Sequence, residues 1–459
     1  MAVLDRLLCF LSRKKFFLGV FLCFATGFLW AEKEAYEVRL AMQADSLKLA
    51  VVKTRTREPK WEAAYLARLE DVLVFDLKNA GYFQLSDLKK ETALLTSGGF
   101  DLSYLKSLQV AFAARLEVEQ DGLFLNFFEV YKNRSQRLGA FKLKGQLSHD
   151  RRLVHRLADL FLEKALGRKG IFQSRLLYSV RIEKGGNGAE KDGKGWLSEI
   201  WICDWDGENR RQLTFEKSYC LHPLFLSQEE FLYVSYRSGF PKIYRSRFET
   251  GLSRPLISLR GNQLLPALSS DRQQLAFISD VAGRPDLFLQ PLNVFRQAEA
   301  KPVQLFSFPR ATQASSSFSP DGKKLVFVSD KDGTPRLYLI NLEENAEQRR
   351  PKAELVTLKN RDNVSPSFSL DGKKIAYSAK TAAVRQIWLY DLETKEEKQL
   401  TFDCKNKENP YFASDNLHLV YNTEDRAEAE LYLLNVNDPK PMKIGGGAGR
   451  KRFPAFEQN

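Results

Sequence analysis

Residues able to do chemistry are few in this chain of 459, which holds 4 histidines and 5 cysteines. His149 and His155 are six apart in a stretch with helical periodicity, a spacing that does not put two side chains on one helix face. His222 and His418 stand alone, and no His-Glu-x-x-His spacing or cysteine pairing accompanies any of the four, so no zinc centre is expected. A serine nucleophile on a strand-to-helix elbow needs Gly-x-Ser-x-Gly, and the sequence contains none. Phosphate-cradling and dinucleotide-binding glycine loops are missing as well. Two acidic turns, Asp204-Trp205-Asp206-Gly207 and Asp330-Lys331-Asp332-Gly333, resemble fragments of a calcium loop but bring glycine in too early. They read as hairpin turns between outer strands. No catalytic residue, metal or cofactor is expected from these motifs.

Lys and Arg number 70 against 57 Asp and Glu, a formal charge of +13. The first thirty-one residues change that balance. Arg6, Arg13, Lys14 and Lys15 lead into the apolar run Phe16 to Leu29, shorter than the roughly 20 residues of a membrane span. Ala31 and then Glu32-Lys33-Glu34 follow, the order of a secretory signal peptide cleaved after Ala31. Its removal leaves 66 basic against 56 acidic residues, or +10, and takes away Cys9 and Cys23. Cys203, Cys220 and Cys404 remain, an odd number, so they are expected to be buried or half-buried thiols and not a disulfide framework. Basic residues are scattered among the strands without a continuous patch, which disfavours nucleic acid; a solvated surface near an anionic envelope fits better. No later segment is long enough to span a membrane.

From about 37 to 168 the mature chain alternates strand-like and helix-like stretches. Glu37 to Leu40 and Leu47 to Val52 have strand character. After Pro59, Trp61, Tyr65, Leu66, Leu69, Leu73 and Leu77 recur at helical steps up to Gly81. Gln120-Asp121-Gly122 between Arg115–Val118 and Leu123–Tyr131 signals a hairpin. A helix over His149–Leu166 ends at Gly167. This predicts a small α/β domain over 32–168, with strand order left open.

Beyond Gly170 the helical pattern stops and a repeat begins. Phe231 to Tyr244, Leu275 to Phe288 and Leu325 to Tyr338 align with their aromatic, Gly and Pro positions in register. Ile375 to Trp388 and Leu419 to Tyr432 continue the pattern, and equivalent positions are 44, 50, 50 and 44 residues apart. Such steps match a four-stranded propeller blade of roughly 40 to 50 residues. Ser319-Pro320-Asp321-Gly322 and Ser369-Leu370-Asp371-Gly372 are read as the turns from first to second strand, with Asp and Gly accepting positive φ. Six units, starting near 171, 219, 262, 312, 363 and 408, predict a six-bladed all-β propeller over 169–459, with Phe453 to Phe456 as closing strand.

Several segments then resemble the TolB family of the Tol-Pal system of Gram-negative envelopes. Asp76 to Phe83 is similar to the family's Asp-Leu-Arg-Asn-Ser-Gly-x-Phe, and Phe161 to Phe172 to its passage from last helix to first blade. Asp204-Trp205-Asp206-Gly207, Phe308-Pro309-Arg310 and Phe453-Pro454-Ala455-Phe456 resemble its first blade, the approach to its fourth, and its closing Phe-Pro-Ala-Trp. The resemblance implies a periplasmic scaffold and not an enzyme, a monomer within a complex that supports outer-membrane integrity and cell division. It implies that Phe308, Pro309 and Arg310 belong to a mouth facing the peptidoglycan-associated lipoprotein, Pal, and that Glu37, Val38, Arg39 and Leu40 engage TolA. Two departures stand out: Ala311 replaces the family's usual His after Phe-Pro-Arg, and Ala41-Met42-Gln43 leaves the pattern. The alternative reading is an exported propeller that binds glycans or acts as a lyase or hydrolase, which would need acids or bases converging on the channel.

Overall fold

A computed structural model describes residues 46–86, 102–183, 196–292, 301–343, 352–425 and 428–458. The chain divides into two compact units, 1–142 and 143–459. The expected leader and Glu37 to Leu40 lie outside the described residues.

In the first unit, strand β1 (Leu47–Thr56) is followed by helix α1 (Ala63–Asn79), β2 (Phe83–Leu85), the short α2 (Leu102–Ser107), and β3 (Phe112–Glu119), β4 (Gly122–Glu129) and β5 (Arg134–Lys142). The sheet order is β2-β1-β3-β4-β5, parallel around β1 and antiparallel from β3 onward. Helix α1 buries Leu66, Leu69, Val72, Leu73 and Leu77, the stripe predicted from its spacing. The β3–β4 hairpin turns on Gln120 and Asp121, at φ 48° and 66°, the two left-handed positions a tight hairpin requires.

Helix α3 (Leu147–Leu166) groups by compactness with the second unit, although its sequence texture matches the α/β segment. Its C-terminus is capped by Gly167 at φ 64°, whose N–H donates to the Glu163 and Leu162 carbonyls. Six four-stranded antiparallel sheets follow. Blades 2 to 6 run in chain order, with innermost strands Cys220–Phe225, Leu264–Leu268, Gln313–Phe318, Asn363–Phe368 and Asn406–Phe412. Blade 1 takes its innermost strand from the C-terminus: Arg450–Phe456 pairs with Arg175–Glu183, which is followed outward by Trp196–Asp204 and Arg211–Gln212. This closes the ring, because each end of the repeat region completes one shared sheet. The innermost strands contact one another around the circle.

The blades are held by a repeated cross-strand pair. Residues facing each other on the second and third strands are Tyr178 and Trp201, Tyr233 and Tyr244, Phe277 and Phe288, Phe327 and Tyr338, Tyr377 and Trp388, and Tyr421 and Tyr432. The rings of Phe277 and Phe288 lie 5.8 Å apart, as do those of Tyr421 and Tyr432. An aromatic pair of this kind adds about 0.5–1.5 kcal/mol beyond the area it buries.

The turn chemistry differs from the expectation in one respect. Gly322 and Gly372 do take positive φ, but Asp321 and Asp371 do not. Each carboxylate instead accepts from the Ser319 or Ser369 hydroxyl and from the N–H of Lys323 or Lys373. Aspartate is there as an acceptor that closes the turn on itself.

Candidate interaction surfaces of the ring

Each innermost strand carries a bulge. In five of them a residue at left-handed φ precedes proline: His222-Pro223, Leu265-Pro266, Ser365-Pro366, Asn409-Pro410 and Phe453-Pro454, with φ between 50° and 54°. Proline is tolerated because the bulge removes the ladder bond it could not make. Blade 4 has Ser315-Ser316 there. The bulged residues line a channel cavity of about 140 Å³.

That lining is neutral. Serines from blades 4 and 5, Asn409, Tyr411, the bulge prolines and Phe453 surround the space, and among the described residues no Asp, Glu, Lys or Arg borders it. The His222 ring lies 3.9 Å from that of Phe453, and its Nδ1 is shielded from solvent with no hydrogen-bond partner among the described residues. Burial pushes the imidazole down to about 4, so it is uncharged at neutral pH. Ser365 donates to Asn409, which donates to Asn422. The channel suits neutral polar groups.

Charged residues gather where the innermost strands begin. Arg450 and Arg452 both donate to Glu424, and Arg385 donates to Asp362 at 2.5 Å. Glu408 stands 4.0 Å from Arg385; burial and the neighbouring Glu424 charge raise its pKa against the pull of Arg385 and Arg452. The same end receives the connection from Val303–Phe306 into Gln313–Phe318, which carries Phe308, Pro309 and Arg310, all exposed. Arg310 takes φ 60°, the Ala311 N–H donates to the Phe308 carbonyl, and the Thr312 N–H donates to Asp330 at 2.6 Å. Lys331 sits 5.7 Å over the Phe308 ring. Ala311 is buried beneath this turn.

Both acidic turns are hairpin turns. Asp330 to Gly333 joins the second and third strands of blade 4, which places it nearer the middle of the sheet than the expected outer pair. Asp204 to Gly207 joins outer strands of blade 1 and holds helix α3: Arg151 donates to Asp206, Arg152 donates to Asp204 at 3.2 Å, and Asn209 reaches the Ser148 carbonyl at 2.8 Å. Trp205 is fully buried with its ring 5.0 Å from that of Phe172. Among the described residues no cluster of three or more His, Cys, Asp or Glu is placed to hold a metal, and no helix is long and apolar enough to cross a membrane. Cys203 and Cys220 are buried, and burial pushes both thiols up. Cys404 is exposed, because it falls in the connection between blades 5 and 6 and not on a strand. Sequence reading missed the bulge prolines, whose signal was an x-Pro step recurring near the start of successive repeats.

Comparison with known proteins bears on the whole ring. The chain is 39% identical over 299 residues to a protein named "Protein TolB homolog" from Protochlamydia amoebophila, covering 62% of each chain. It is 34% identical over 301 residues to one of the same name from Chlamydia pneumoniae, covering 64% of this chain and 63% of that one. It therefore spans somewhat under two thirds of the length of these relatives. The crystal structure of TolB from Acinetobacter baumannii shares the fold over 90% of this chain and 97% of that one, with a TM-score of 0.71 and 20% identity. The family model described as TolB beta propeller domain, PD40, matches residues 162–459, and the chain belongs to that family.

Proposed function

We propose that this chain is a periplasmic scaffold of a Tol-Pal-type envelope complex and not an enzyme. Its ring binds the peptidoglycan-associated lipoprotein across the mouth that carries Phe308, Pro309 and Arg310, and its segment Glu37, Val38, Arg39 and Leu40 engages TolA. Through these contacts it supports outer-membrane integrity and cell division. The supporting observation is the family match over 162–459, preceded by a separate α/β unit, in relatives that bear the TolB name. A closed ring offers loops to a partner, and a strand-prone segment ahead of a domain can add to an exposed sheet edge. The neutral channel favours this over the lyase or hydrolase alternative, which needs acids or bases in the cavity.

Affinity capture from detergent-solubilised envelopes tests the reading. The chain from Glu32 onward should recover a peptidoglycan-binding outer-membrane lipoprotein; recovery of none sinks it. Deleting residues 32–41 should abolish TolA capture and spare the lipoprotein. TolA capture that survives the deletion removes Glu37 to Leu40 from that role.

A further inference from the structure

The ends of the ring differ in surface. Among the described residues, the turns from first to second strand in blades 3, 4 and 5 are closed by serine and aspartate and carry no strongly exposed large apolar residue; the exposed Leu252 and Val303 at this end stand singly, beside the fourth strands of blades 2 and 3. At the opposite end such residues recur at one step of the repeat. In blade 1 the Leu213 N–H donates to the Ile200 carbonyl, and two residues later Phe215 is 73% exposed. Val356 bonds to Leu337 and Leu400 to Ile387 in the same way, leaving Leu358 71% and Phe402 73% exposed. Phe306 pairs with Leu287, and Phe308 follows, 40% exposed. Ser258 and Gly446 hold this step in the other two blades.

Three of the four apolar tips, Phe215, Phe308 and Leu358, have unpaired cations beside them. Lys217, Arg310, Lys359 and Arg361 follow the tips by one to three residues and are exposed without an ion-pair partner among the described residues. The acids of these loops have partners within the fold, although the Asp403 side chain stays 56% exposed. Glu216 accepts from the Tyr233 hydroxyl at 2.5 Å and from Arg237 at 2.8 Å, while Asp362 accepts from Arg385 and Asp403 from Lys407. One loop is held out rigidly: Glu397 accepts from the N–H groups of Leu358 at 2.8 Å and Lys359 at 2.9 Å.

We propose that this end of the ring docks on an anionic bilayer surface. Phe215, Leu358 and Phe402 enter the boundary between headgroups and acyl chains, and Lys217, Lys359 and Arg361 lie among lipid phosphates. Charge points to an anionic partner, and geometry selects among anionic partners. Residues at one step of a ring repeat stand at one height, so the tips lie near a common plane, which matches a bilayer better than the uneven surface of a protein. Apolar tips bordered by basic residues are the composition of interfacial membrane contacts. This goes beyond the scaffold reading and does not depend on it.

The test is co-sedimentation of the chain from Glu32 onward with phosphatidylcholine vesicles, with and without phosphatidylglycerol. The chain should bind the phosphatidylglycerol vesicles, bind phosphatidylcholine alone weakly, and release as salt rises. The triple variant Phe215→Ser, Leu358→Ser, Phe402→Ser should lose about tenfold or more in partitioning. The double variant Lys217→Glu, Arg361→Glu should lose at least about tenfold, since each cation near an anionic surface is worth about fivefold. Phe308 and Arg310 are left unchanged because they belong to the proposed lipoprotein site. Equal binding to both vesicle types, no binding, or wild-type binding by both variants with unaltered melting overturns the proposal. If vesicles are ignored and the purified lipoprotein instead loses its hold in these variants, the surface is a protein contact: this inference fails while the scaffold reading stands.

Discussion

Lys451 tests how the ring is locked. It lies on the C-terminal strand that completes blade 1, is 2% exposed, and donates to Glu430 at 2.8 Å and to the Gly447 carbonyl at 3.0 Å. Lys451→Met keeps most of the side-chain volume and removes the charge, leaving a largely buried carboxylate and a carbonyl without their donor. Breaking a buried pair from one side costs about 3–5 kcal/mol. Lys443, 3.4 Å from the other Glu430 oxygen but half exposed, keeps part of the compensation, so the lower end of that range, about 3 kcal/mol, is expected. For a unit of this size that lowers the melting temperature by roughly 4–5 °C. Calorimetry or urea unfolding followed by near-UV circular dichroism reads the shift. Lys443→Met is the control, expected to cost under about 1 kcal/mol as an exposed pair. Adding Glu430→Gln to Lys451→Met should recover stability, because it removes the orphaned charge. A Lys451→Met ring within about 0.5 kcal/mol of wild type refutes the buried-pair reasoning.

Three further outcomes follow from single groups. Burial would raise the Glu397 pKa, but the N–H groups of Lys359, Leu358 and Asn360 and the Tyr377 hydroxyl bond its ionised form and hold it below the usual range. The stability it supplies is therefore present above the ordinary glutamate pKa and is lost as pH falls through the depressed folded value; Glu397→Gln should be destabilising in urea at pH 7 and converge on wild type in acid, and a pH-independent gap contradicts this. His222, pushed down to about 4, binds a proton more readily in the unfolded chain, so its contribution to stability falls between about 6.5 and 4 and is complete above that window; NMR titration of its ring protons should show no midpoint above pH 5, and one near 6.5 would contradict the enclosure. Gly167 has φ 64° with open space where a Cβ would stand, so Gly167→Ala should cost about 1 kcal/mol of backbone strain and no more, measured by thermal melting.

The blade count and the paired aromatics were legible because each depends on residues a few positions apart inside one repeat, where apolar period and turn chemistry speak together. Closure was only half legible. Phe453 to Phe456 reads as a strand, but its partner Leu176–Arg181 lies at the other end of the repeat region, and local pattern holds no record of that pairing. The innermost strands were the hardest to read. Proline in a run of strand residues reads as a stop, and only the ring shows that Pro223, Pro266, Pro366, Pro410 and Pro454 sit at bulges where no ladder bond is asked of them. The neutral lining was illegible for a related reason, since each repeat contributes only a few residues to it. Of the site residues named from sequence, Phe308, Pro309 and Arg310 fall together on one exposed turn, and Glu37 to Leu40 lie outside the described residues.

A repeat also changes what scattered charge means. Lys217, Arg310, Lys359 and Arg361 lie far apart in the chain, and in sequence they look like ordinary solvated cations. Folding into a ring stacks one step of every repeat at one end, so cations recurring in three of the six connections come to share one face. The acids in the same loops do not cancel them, because Glu216, Asp362 and Asp403 are each tied to a partner within the fold. At the other end serine and aspartate satisfy each other inside the first-to-second turns of blades 3, 4 and 5. The asymmetry between the two ends thus comes from which step of the repeat keeps its polar groups for itself, and net charge alone could not have revealed it.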